Sequence, residues 1–84
     1  MKLYRISQEA HNGYDTYSDA VVAAPSTEDA KAIRPDGREL VESGTSSYHY
    51  NDWADKSSEV EVEFLGHAKG GTKRGVICAS FHAG

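Results

Sequence analysis

The stretch from Tyr14 to Pro35, YDTYSDAVVAAPSTEDAKAIRP, leaves a folding chain few choices. Thr16 to Ala24 reads as a strand, with Ala20, Val22 and Ala24 on one face and Tyr17, Asp19, Val21 and Ala23 on the other. The small alanines predict that a helix or another backbone packs closely there. Pro25 has no N–H for a sheet ladder, so pairing ends at it. Ser26 then opens a helix as its cap, and Asp29 falls at the third helical position, near the positive end of the dipole. Ala30, Ala32 and Ile33 supply the apolar face. Arg34 precedes Pro35 and is pushed out of the α region, which stops the helix there.

The flanking segments complete one small domain, residues 1–84. Leu3, Tyr4 and Ile6 alternate with polar neighbours across Lys2 to Ser7, a first strand. Asn12 and Gly13 suit a tight hairpin turn that folds this strand onto the next. From Asp36 to Ser58 the pattern is that of a long loop, with one helical turn expected around Arg38 to Glu42. Glu59 to Leu65 alternates strictly: Val60, Val62 and Phe64 face one way, and Glu59, Glu61 and Glu63 the other. The glycine-rich run from Gly66 to Gly75 reads as a mobile hairpin loop, and Val76 to Phe81 as a final strand. The order β-β-α-β-β predicts an α+β fold, a mainly antiparallel four-stranded sheet with one short helix on one face.

Composition excludes several classes. A chain of 84 residues with 38% apolar content builds a marginal core, which favours a homo-oligomer. A formal charge of -4 with scattered Lys and Arg argues against direct nucleic-acid binding. The single cysteine, Cys78, cannot form an intramolecular disulfide, and no apolar run is long enough to span a bilayer. The expected molecule is soluble, avoids the membrane and works in the cytoplasm, that of the host cell if a phage carries the gene.

Four segments carry a resemblance: KLYRIS at Lys2 to Ser7, YDTYSDAVVAA at Tyr14 to Ala24, EVEFLG at Glu61 to Gly66 and GVICASFHAG at Gly75 to Gly84. They are similar to a group of small bacteriophage and prophage accessory proteins that read KLYRIS, YDTYDSAVVAA, EVEYIGEA and GVILASFNAG. The chain departs from that pattern where Ser18 and Asp19 are exchanged, where Arg34 replaces His and where His82 replaces Asn. The resemblance implies an accessory protein of viral or mobile-element origin, and many such proteins antagonise host defence by binding something. It assigns no residue a role.

Chemistry must therefore be sought in the residues. His11, His49, His67 and His82 lack the short spacings of a zinc site, so no metal and no cofactor is expected. Cys78 lies in a strand as a small hydrophobe, and Asp15, Asp52 and Asp55 follow no catalytic spacing, so no enzyme is expected. Lys73 and Arg74 form the only adjacent basic pair, beside Gly70, Gly71 and Thr72, a segment with phosphate-binding donors but without the order of a P-loop. Tyr48, Tyr50 and Trp53 are aromatic rings concentrated with Asn51 in a polar loop. Tyr14, Asp15, Thr16 and Tyr17 form a hydrogen-bonding cluster next to a glycine. Such rings stack on bases, and cations hold phosphates.

The expected site thus comprises Tyr14, Asp15, Thr16, Tyr17, Tyr48, Tyr50, Asn51, Trp53, Lys73, Arg74 and His82, holding a small anionic nucleotide-type signal between subunits without turnover. An anti-CRISPR-like inhibitor of a host defence protein, acting through the acidic row Glu59, Glu61 and Glu63, is the alternative. A virion or scaffold protein is a third.

Overall fold

The computed structural model describes residues 1–9, 16–40, 53–54 and 56–82. Its elements are β1 (Lys2–Ser7), β2 (Thr16–Ala24), a five-residue helix α1 (Thr27–Lys31), a 3-10 turn (Ser57–Glu59), β3 (Glu61–His67) and β4 (Gly75–His82). The strands form one antiparallel sheet in the order β3-β1-β2-β4, with α1 packed on one face, which is the expected α+β architecture.

The local rules act as the residues dictate. Ser26 Oγ accepts from the Asp29 N–H at 3.2 Å and caps α1. After the helix, Arg34, Pro35, Asp36 and Gly37 make a tight turn in which the Gly37 N–H donates to the Arg34 carbonyl at 2.9 Å, with proline at its favoured second position. The chain then runs back extended, Ile33 bridging Glu39 and the Leu40 N–H donating to the Ala32 carbonyl at 2.8 Å. This corrects the helical turn expected from Arg38: backbone groups of residues 38–40 are drawn into pairing with residues 32–34. Residues 41 and 42 of that expectation, and the Asn12–Gly13 turn, lie outside the described residues.

One core fills the helix side of the sheet. Tyr4 and Ile6 of β1, Ala20, Val22 and Ala24 of β2, Ala30 and Ile33, Trp53, Ala54 and Val60 are all buried in one cluster, edged by Tyr17, Leu40, Val62 and Val76. The alanines of β2 have the role expected of them, since α1 packs on β1, β2 and β3 through Ala30. Tyr4 and Phe64 face each other across β1 and β3, ring centroids 5.8 Å apart and edge-on. Glu59 belongs to the 3-10 turn rather than to the strand, and its carboxylate accepts from the Lys56 N–H at 3.2 Å.

A larger correction concerns residues 68–74. They do not close a hairpin, because β3 and β4 occupy opposite edges of the sheet. The segment crosses the end of the sheet where β1 begins and β2 ends, anchored by the Ala68 N–H on the Met1 carbonyl at 3.0 Å. The central β1–β2 pair leaves each later strand only an outer edge to join.

Candidate functional site

The crossover delivers Arg74 to the helix. β4 starts by pairing Gly75 with Ala23, so Arg74 stands beside the end of β2, where the chain turns into α1. Its Nε donates to Asp29 Oδ2 at 2.5 Å, and Nη1 and Nη2 donate to Glu39 Oε1 and Oε2 at 2.6 and 3.1 Å. The fork on Glu39 and the third bond to Asp29 push the guanidinium pKa further above its ordinary value. Asp29 is supplied by the first turn of α1 and Glu39 by the returning strand of the 33–39 hairpin, so three sequence-distant segments are tied at one point.

Lys73, next to this cluster, is exposed and makes no ion pair among the described residues. Thr72 turns inward on the crossover: its hydroxyl donates to the Lys69 carbonyl at 2.6 Å, leaving its oxygen free to accept but its proton engaged. A shallow cleft of about 320 Å³ opens nearby, lined by Glu28, Ala32, Leu40 and Ser57. The charge on its wall is a carboxylate, which suits a donor-bearing or cationic group better than a phosphate.

The other expected site residues are distributed differently. Trp53 is 0% exposed, and its indole N–H, also buried, has no hydrogen-bond partner among the described residues. It is a core ring, which corrects its expected stacking role: β1, β2 and α1 enclose the indole that a base would have to cover. Tyr17 packs against the edge of the same core, and Thr16, at the start of β2, is buried. His82 pairs with Thr16 in the ladder. Tyr14, Asp15, Tyr48, Tyr50 and Asn51 lie outside the described residues.

Two groups therefore form on the described residues, at opposite ends of β4. Thr16, Tyr17 and His82 belong to one end, Lys73 and Arg74 to the other. At the rise of an antiparallel strand, Arg74 and His82 are roughly 25 Å apart. Sequence reasoning missed Asp29 and Glu39 as partners of Arg74, because separations of 45 and 35 residues leave no periodic trace. It also missed Phe64 as a 54% exposed ring, since strict alternation placed it inward.

No family model matches the chain, and neither a curated protein nor a solved structure is similar to it. Any functional reading therefore stands on the geometry above.

Proposed function

We propose that the protein is a non-enzymatic binding protein of the phage anti-defence kind, which sequesters a small nucleotide-derived signal in pockets between subunits. The separation of its polar groups carries this reading. A mononucleotide-sized ligand cannot touch both ends of a strand roughly 25 Å long within one chain. A second copy related by a two-fold axis running perpendicular to β4 near its middle would lay the two strands antiparallel and bring the Thr16–His82 end of one chain against the Lys73–Arg74 end of the other.

The sheet also offers a surface for such a copy. Its face away from α1 presents Leu3, Val21, Cys78 and the exposed Arg5–Asp19 ion pair, 2.8 Å long, with no helix or strand over it among the described residues. Burial of this face would supplement the core on the helix side of the sheet.

Native mass spectrometry of the protein incubated with cyclic dinucleotides and ADP-ribose derivatives tests the proposal. The expected result is an even-numbered oligomer carrying ligand, which heat denaturation releases chemically intact. An altered product would make the protein an enzyme, and a ligand-free monomer would remove the proposal.

A further inference from the structure

Arg74 is held in the geometry that a phosphate would impose. Nη1 and Nη2 grip both oxygens of Glu39, a planar fork of the same kind that guanidinium groups form on phosphate. The two carboxylates on Arg74 are not equally built in. Asp29 sits in the first turn of α1 with its backbone N–H bound to Ser26, and its side chain is 29% exposed. Glu39 is bridged to Ile33 in a short hairpin, and its side chain is 59% exposed. One guanidinium between two carboxylates leaves the cluster with net negative charge. An approaching anion is therefore repelled until one carboxylate withdraws.

We propose that Glu39 is a displaceable stand-in for a ligand phosphate: an anionic ligand takes over the Nη1–Nη2 fork of Arg74, Glu39 swings into solvent, and Asp29 stays on Nε to hold the guanidinium plane. The exposed Lys73 next in sequence supplies a second cation once the fork is occupied. Affinity is thereby set by a residue that need not touch the ligand. The class of ligand rests on the sequestration reading, but the exchange itself requires only a phosphate group.

Calorimetric titration with inorganic pyrophosphate at constant ionic strength tests it. Glu39→Gln should bind about fivefold more tightly than the wild-type protein, the order expected when one partly screened charge contact is removed. Glu61→Gln, which makes the same change in net charge on exposed β3, should leave affinity unaltered. Adding Arg74→Gln to Glu39→Gln should abolish the gain. Glu39→Gln binding no tighter than Glu61→Gln, including no binding by either, overturns the exchange. In the wild-type protein, pyrophosphate should also shift the side-chain N–H resonances of Arg74, and resonances that stay fixed at saturation overturn it too. Nucleotide retained by the wild-type protein together with a null Glu39→Gln result would leave sequestration standing and remove only the exchange. The opposite pair of results would remove sequestration and keep the anion site.

Discussion

Trp53 is the largest side chain wholly inside the core, and it arrives there from a stretch that reads as polar loop. Its neighbours in sequence, Asn51, Asp52 and Asp55, carry no hydrophobic period, so nothing local marks the indole as buried. The orphaned N–H is the cost of using it as filler: a buried donor without a partner forfeits about 1 to 3 kcal/mol. Trp53→Ala should lower the unfolding free energy by about 3 to 5 kcal/mol, enough to unfold much of a domain this small. Urea titration followed by circular dichroism measures this. A change below about 1 kcal/mol would mean that the ring contributes little to the core. As the only tryptophan, it should also fluoresce at short wavelength when folded and shift to the red through the same transition.

The elements were legible where local chemistry decides them. β2 spans Thr16–Ala24 as alternation and Pro25 require, and the Ser26 cap follows from side-chain hydrogen bonding, but the helix ends at Lys31, before the stop expected at Arg34, because Ile33 is drawn into a bridge with Glu39. What alternation misjudged are the edge strands. Register shifts at Leu3/Tyr4 and at Val21/Val22 make Leu65 and Ile77 extra residues in the ladder, and these are 48% and 53% exposed. A bulge moves one residue out of the alternating count, and nothing in a strand of apolar residues announces which one. Gly66 and Gly75 flank the crossover with φ of +153° and +146°, and no atom lies within 4 Å of where a Cβ would sit on either. Gly75→Ala should therefore destabilise the fold by about 1 to 3 kcal/mol through backbone strain alone, without a clash. Equal melting of this variant and the wild-type protein in differential scanning calorimetry would contradict that account.

At the scale of the whole molecule, the helix-side core and the strand order act together. Cys78 is exposed on the sheet face away from α1, opposite Val21 in the ladder. Cys78→Asp should change the stability of an isolated subunit by no more than about 0.5 kcal/mol, as surface substitutions usually do. It should also dissociate the proposed oligomer, because an unpaired carboxylate resists burial in an interface. Light scattering coupled to size-exclusion chromatography reports the mass. An unchanged mass would put the contact between copies on another surface. The candidate site was legible only as residue types: cations at Lys73 and Arg74, polar groups at Thr16 and Tyr17. That Arg74 meets Asp29 and Glu39, that Trp53 belongs to the core and that Tyr17 packs at its edge, depends on contacts between residues distant in the chain. The amino-acid order by itself determined where the strands lie and how the helix is capped, since each rests on interactions among residues a few positions apart. Only the tertiary structure decided that β3 and β4 flank a central pair, that residues 68–74 cross the sheet end instead of closing a hairpin, and that an arginine there is held between two carboxylates. Those outcomes come from competition for the same edges and the same buried volume, which no local segment encodes.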